Sequence, residues 1–334
     1  MLNILKILFF LGLGIALIWL ALRKTTDQEF ANIKTSFLTA NYFWVSLSIL
    51  ITGLSHFFRA VRWKILLKPL GHTPKTSNTF FAVMVGYLAN FAIHRMGEVT
   101  RCGLLTTYEK VPFTAGFGTV ISERAFDVVC LLIIFFAALG MEFDRIYGIA
   151  NNLIFHTISQ KFHSLMEKQT FVIGAGITLF IIAIAMFYFR KKIQSLFSTK
   201  VKGFLNGLWS GLISIKNVDK PVWFIVHTIL IWTMYVLQVY VCFYAFPETS
   251  HLSIMVAVVI VVFGSLGVIA TPGGTGAYQL IVIQILMSIY LISYTSAFAF
   301  AWAVWTSQFI FILFTGFLSL LLLTLLNKVA KPEE

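Results

Sequence analysis

The chain has 334 residues, of which 59% are hydrophobic and only 11% charged, with a formal net charge of +12. A soluble chain carries about 25% charged residues, so this surface cannot be mostly water-facing. The composition excludes a soluble enzyme, a secreted disulfide scaffold and a disordered protein. It predicts an all-α polytopic membrane protein, because the apolar runs are long and continuous where a membrane barrel alternates over segments of about ten residues.

A helix needs about 20 apolar residues to cross a hydrocarbon core about 30 Å thick. In chain order, full spans are predicted over 4–22, 42–61, 117–140, 171–189, 222–246 and 297–326. The first follows Lys6 and is closed by Arg23 and Lys24 without a small-residue cleavage site, so it reads as an uncleaved span. Two segments break the template. Residues 80–93 are too few to span and run into HRMGEVTR; residues 253–270 run into TPGGTGAYQ, and a short apolar segment follows to 291. The expected architecture is therefore about six spans plus two re-entrant or broken segments. They form one domain over 1–326, with a polar tail over 327–334.

The basic residues set the expected topology. The stretch 59–79 holds Arg59, Arg62, Lys64, Lys68 and Lys75, and the stretch 190–220 holds Arg190, Lys191, Lys192, Lys200, Lys202, Lys216 and Lys220. Both belong in the cytoplasm by the bias of Lys and Arg toward that side. They share a side only if 80–93 enters and leaves by one face, with the basic 95–110 stretch also cytoplasmic. Both termini are then cytoplasmic, although Arg23, Lys24 and Lys34 after the first span argue the other way. Phe197, Val201, Phe204, Leu208 and Leu212 recur at helical spacing and predict a helix on the cytoplasmic surface, with a fainter one over 149–165 outside. The charge is scattered among spans, so nucleic acid is not expected as a partner. Cys102, Cys130 and Cys242 form no CxxC, and neither a disulfide framework nor a metal site is expected.

Charge inside a bilayer costs about 2.5–3.5 kcal/mol per group on insertion scales, so such groups should be few and paired. Three clusters qualify. His56, Arg59 and Arg62 end the second span at a spacing of three and share a helical face. Arginine's planar fork suits phosphate; the competing reading is ordinary snorkelling at a helix end. Arg95, Glu98 and Arg101 follow the short apolar segment, with Gly97 permitting a turn or a close backbone approach. Glu123, Arg124 and Asp127 lie inside the third span, where Glu123 and Asp127 share a face. A structural salt bridge is the competing reading for the last two. Five arginines against three carboxylates leave a positive surplus, which suits a phosphate-bearing headgroup. A fourth feature is the TPGG break, where Pro272, Gly273, Gly274 and Gly276 interrupt a helix and free backbone amides for an anion. It lacks the GK[ST] ending of a nucleotide-binding loop. Aligning Gly97 with Gly276 pairs the two breaks, one in each half, and paired breaks point to a transporter's midplane site and an inverted repeat.

The runs RAVRWKILL from Arg59, NFAIHRMGEVTR from Asn90, SERAFD from Ser122 and PGGTG from Pro272 together resemble the lysylphosphatidylglycerol synthase transmembrane family, also called the flippase-like domain family. The resemblance covers roughly residues 5–325. It implies a bacterial or archaeal inner-membrane protein with re-entrant helices, some of whose relatives carry aminoacylated phosphatidylglycerol across the bilayer. The family's P-x-R-x-G-E is met by Arg95, Gly97 and Glu98, with Ile93 in place of the proline. Its E-R-x-x-D is met by Glu123, Arg124 and Asp127, and its P-G-G-x-G by Pro272, Gly273, Gly274 and Gly276. The soluble transferase domain of full-length synthases is not expected here.

The expected function is a lipid flippase or transporter without catalytic residues or cofactor. Arg59, Arg62, Arg95 and Arg101 would hold the lipid phosphate, Glu98, Glu123 and Asp127 would orient them beside Arg124, and the glycine breaks would gate. A membrane-embedded enzyme acting on a lipid headgroup and an accessory subunit of a lipid or glycan pathway remain as alternatives. Self-association or a separate lipid-synthesising enzyme are the partners left open.

Overall fold

The computed structural model describes residues 26–93, 95–142 and 218–327. The expected spans over 4–22 and 171–189, the surface helices over 149–165 and 194–216, and the tail after 327 lie outside the described residues. Among the described residues nine α-helices form, and no strand. They are α1 Asp27–Thr39, α2 Tyr42–Leu67, α3 Thr76–Ala92, α4 Met96–Glu109, α5 Phe113–Met141, α6 Pro221–Phe243, α7 Ile254–Ala270, α8 Ala277–Tyr290 and α9 Tyr294–Leu326. Four of these, α2, α5, α6 and α9, are long and apolar enough to cross a membrane. Helix α1 is instead a short amphipathic helix, opened by a capping box in which Thr26 and Glu29 satisfy each other's orphan groups, and it packs on α9.

The two halves repeat one pattern. Each has a long helix (α2 or α6), a 3-10 turn with proline (Lys68–Leu70 or Pro247–Thr249), a helix of 17 residues (α3 or α7), a helix of 14 (α4 or α8) and a long final helix (α5 or α9). The fourteen-residue helices end alike. Lys110 and Leu291 adopt left-handed backbone at φ 57° and 56°, and the next residue's N–H reaches back to Leu105 O and Leu286 O. A left-handed residue that closes a helix is usually glycine. The equivalent helices α2 and α6 lie antiparallel. Asn41 N donates to Ala245 O at one end, and Arg62 bonds Thr228 toward the other. The halves are therefore related as an inverted repeat.

Helices of 17 and 14 residues reach only about 25 and 21 Å, short of a 30 Å core. Each pair turns back instead of crossing. In the first hairpin, Asn78 near the start of α3 bonds Glu109 at the end of α4 at 2.5 Å. In the second, Ser293 just after α8 bonds Glu248 just before α7 at 2.6 Å. The segment 80–93 is thus one arm of a re-entrant helix pair. The stretch 95–110, expected as a basic loop, is its returning arm: α4 buries Gly97, Arg101, Cys102 and Leu105 and turns its polar side away. Likewise 253–270 does not span but breaks at Thr271 and returns as α8.

The hairpin tips are built differently. In the first, Met96 N bonds Ile93 O, and the Asn90 side chain accepts from Gly97 N at 2.7 Å, satisfying a free amide of α4. Gly97 is required there, since a Cβ would lie 2.1 Å from Gly86 O. The second tip is longer and has Gly273, Gly274 and Gly276 at positive φ. The N-caps of α4 and α8 are Arg95 and Gly276, so the breaks correspond through Arg95 and Gly276, and the expected pairing of Gly97 with Gly276 shifts by two residues. Each hairpin packs against the final helix of the other half, α3 on α9 and α7 on α5.

Candidate functional site

Three helices of the first half bring the charged residues together. Helix α2 runs beyond the expected 61 to Leu67, which places Arg59 and Arg62 inside a packed seam with α5 and α6. Both are buried, at 3% and 0% exposure, so they form the inner wall of the cluster and do not snorkel at a helix end. The i, i+3 spacing points both guanidiniums at α5, whose Glu123 and Asp127 face back one turn apart.

The ion pairs are dense. Arg59 Nη1 donates to Glu123 Oε1 at 2.6 Å and to Asp127 Oδ2 at 2.8 Å, and its Nη2 donates to the Tyr235 hydroxyl at 2.8 Å. Arg62 Nη2 donates to Asp127 Oδ1 at 2.7 Å and its Nη1 to Thr228 at 3.1 Å, while its guanidinium lies 5.5 Å from the Phe224 ring centre. Arg101, on α4, lies 3.3 Å from Glu123 Oε2 and covers the Trp63 ring at 4.6 Å. Trp63 is fixed in turn by its bond to Thr119. Arg124 contacts three carboxylates more loosely: Glu98 at 3.7 Å, Glu123 at 3.4 Å and Asp127 at 3.9 Å.

Packing splits the cluster into an inner and an outer part. The side chains of Arg59, Arg62, Arg101 and Glu123 are at most 4% exposed, whereas Glu98 is 23% and Arg124 41% exposed. Arg95 is exposed at the hairpin tip with φ 62°, and among the described residues no ion pair joins it to the others. Seven of the eight charged residues singled out from sequence thus converge, and Arg95 stands apart. Four arginines face three carboxylates, leaving one positive charge over. Among the described residues, Nε of Arg59, Arg62 and Arg124, Oε2 of Glu98 and Glu123, and both ring nitrogens of His56 are buried without a hydrogen-bond partner.

Sequence reading missed Tyr235, Thr228 and Tyr87. Tyr235 and Thr228 come from α6 and bond the two inner arginines. Tyr87, on α3, packs at a tilt against His56 with ring centres 4.4 Å apart. Hydroxyls and rings within an apolar run carry no charge signal, and only packing reveals them. The glycine break supplies no charge; Gly273 O instead accepts from Trp305 Nε1 at 2.8 Å. Among the described residues no group of three His, Cys, Asp or Glu side chains is arranged to hold a metal.

An inverted pair of re-entrant hairpins beside a buried arginine–carboxylate cluster defines a polytopic all-α membrane protein. The chain belongs to the family described as the lysylphosphatidylglycerol synthase TM region, which it matches over residues 3–317. It is similar to a UPF0104 membrane protein of Methanothermobacter thermautotrophicus, 24% identical over 262 residues, covering 75% of this chain and 77% of that one. A UPF0104 membrane protein of Methanocaldococcus jannaschii is 30% identical over 98 residues, a match spanning only 28% of this chain and 29% of that relative. No solved structure matches the chain.

Proposed function

We propose that the protein is a lipid carrier of the inner membrane, moving a phosphate-bearing lipid between leaflets without changing it chemically. The observation that carries this reading is the cluster's surplus of one positive charge beside an open edge. A buried charge without a counterion costs several kcal/mol, so the arrangement calls for one more anion. Arg124 and Glu98 form the accessible side, and Arg95 stands at the tip above them. A phosphate entering there meets a guanidinium whose Nε makes no hydrogen bond among the described residues and lies 3.7 Å from Glu98. Arg59, Arg62 and Arg101 are held by the carboxylates and act as a fixed positive wall. The hairpin tips form the barrier that a headgroup passes. By the bias of Lys and Arg, the open ends of the first hairpin face the cytoplasm and those of the second the opposite side.

The test uses the full chain in proteoliposomes with acyl-labelled fluorescent phosphatidylglycerol and dithionite quenching of the outer leaflet. The parent should expose more than half of the label, with the recovered lipid unchanged in mass. Arg124→Ala should lose transport while keeping its unfolding temperature, since this side chain is the least buried of the cluster. Transport by Arg124→Ala and Glu98→Gln at the parent rate would make the cluster structural, and a lipid recovered with altered mass would favour an enzyme.

A further inference from the structure

His56 of α2 and Tyr235 of α6 stand equally far before the two 3-10 turns, which open at Lys68 and Pro247, so they are equivalent in the repeat. They also stand at nearly the same level. The side-chain bonds that join α2 to α6 pair Arg62 with Thr228 on one side of them and Thr52 with Gln238 on the other. A residue level with its own counterpart lies at the axis that relates the halves. In an inverted repeat that axis runs in the plane of the membrane, which puts His56 near the middle of the bilayer.

An imidazole at that depth needs a reason. His56 is 5% exposed, and among the described residues neither ring nitrogen has a hydrogen-bond partner. Its ring packs against Tyr87 of α3 at 4.4 Å and, nearly parallel, against Phe311 of α9 at 6.2 Å. Packing alone would be served by phenylalanine, which buries no polar atom, and buried polar groups are nearly always satisfied. Polar residues continue along α2 in both directions. Toward one end Ser55, Thr52 and Ser48 are buried on the face that carries Arg59. Toward the other, Arg59 follows three residues on, about 5–6 Å away between Cβ atoms. Arg59 Nη1 and Arg124 Nη2 share Glu123 Oε1 at 2.6 and 3.4 Å, so His56 lies one turn from the inner wall of the charged cluster.

The ionisable groups that surround the ring are few. Its own helix supplies Arg59. Helix α5 faces it with Glu123 and Asp127, both held by Arg59, and α6 with Tyr235, which accepts from Arg59. Helix α3 brings only Tyr87, and α9 only the apolar Phe311.

Resting on the reading of the charged cluster as a phosphate site, we infer that His56 is a proton site coupled to it, so that the carrier moves a lipid phosphate together with a proton. While the cluster is empty, its surplus positive charge, with Arg59 nearest, opposes a further positive charge on the ring. A phosphate monoanion cancels that surplus, and a proton from the water on the same side then settles on an unpaired ring nitrogen. The anion and the proton cross as a neutral pair. The proton returns to water on the far side when the phosphate leaves. Histidine suits this task because its ordinary titration range borders neutral pH. Linkage requires that the proton and the phosphate strengthen each other's binding by the same factor.

The experiment uses the full chain in proteoliposomes with acyl-labelled fluorescent phosphatidylglycerol, a pH gradient of about one unit and the membrane potential clamped to zero. The label should concentrate about tenfold in the leaflet facing the alkaline side, the ratio that one proton per lipid sustains, and reversing the gradient should reverse the ratio. His56→Gln keeps a polar amide but cannot take a proton, and its ratio should fall to about one. A second measurement covers a variant that fails to transport. Calorimetric titration with short-chain phosphatidylglycerol, in two buffers of different ionisation enthalpy, should count about one proton taken up per lipid bound by the parent and none by His56→Gln. A parent that spreads the label equally despite the gradient, or binds lipid without proton uptake, would overturn the inference and leave the phosphate site intact. A His56→Gln variant that keeps the parent's ratio or proton uptake would overturn it as well, because another group would carry the proton. If the parent neither binds nor moves phosphatidylglycerol, the phosphate reading fails and the coupling with it.

Discussion

Phe91, at the tip of the first hairpin, packs directly on Gly273, at the tip of the second: a Cβ added to Gly273 would lie 2.0 Å from Phe91 Cε1. The ring also meets Trp305 and Phe309 edge-on, at 6.4 and 5.0 Å. Two segments that enter from opposite ends of the molecule thus close on one ring and one glycine.

Gly273→Ala should destabilise the protein by more than about 2 kcal/mol, since it adds left-handed strain to overpacking. Phe91→Ala empties the space the new methyl needs. The double variant should therefore be more stable than Gly273→Ala alone, read as unfolding temperature in detergent. Simple additivity of the two losses would mean that the tips do not touch.

Gly97 and Gly103 lie in the same helix but in opposite circumstances. A Cβ at Gly97 meets the Gly86 backbone oxygen, whereas one at Gly103 meets nothing within 4 Å. Gly97→Ala should cost about 2–3 kcal/mol as the hairpin arms are forced apart. Gly103→Ala should stabilise by about 0.5 kcal/mol through the reduced entropy of the unfolded chain. Thermal unfolding of the two variants side by side decides the point.

The re-entrant paths can be checked by labelling. Single cysteines replacing Lys75 and Tyr108 should react with an impermeant maleimide from one face of the membrane only, and those replacing Ser253 and Leu291 only from the other. Reaction of the first two from opposite faces would make α3 or α4 a true crossing.

Removing Arg62 leaves Asp127 buried and short of its closest partner. Arg62→Ala should lower stability by about 3–5 kcal/mol. The pair Arg62→Met with Asp127→Leu should recover most of that loss without recovering transport, because it restores packing but not the charge pattern. Yield and unfolding temperature report the first effect, and the dithionite assay the second.

The membrane class, the two breaks and seven members of the cluster were legible in the sequence because charge and glycine stand out against apolar runs. Other features were not. Helix α4 reads MGEVTRCGLLTTYE, which has the composition of a loop; it is a helix because Arg101, Cys102 and Leu105 pack against α3 and α5. The depth of Arg59 and Arg62 was hidden because α2 continues six residues past the apolar run, and α6 covers those residues from far along the chain. The register between the breaks was missed because the second tip is longer, and only the helix starts fix it.

The exchange of partners between halves has a consequence for biogenesis. The first hairpin rests on α9, and Asn78 is joined to Asn327 by hydrogen bonds at 2.8 and 3.0 Å. At ribosomal speeds on the order of 5–20 residues per second, α9 emerges on the order of 10–40 s after α4. Arg59, Arg62, Glu123 and Asp127 can neutralise one another long before that, since all four belong to helices made early. The newborn first half therefore waits in the membrane with its charges settled and its hairpin uncovered. A nascent chain arrested before α9 should be open to proteolysis near Asn78, at the water-facing open end of the first hairpin, and resistant around α2 and α5.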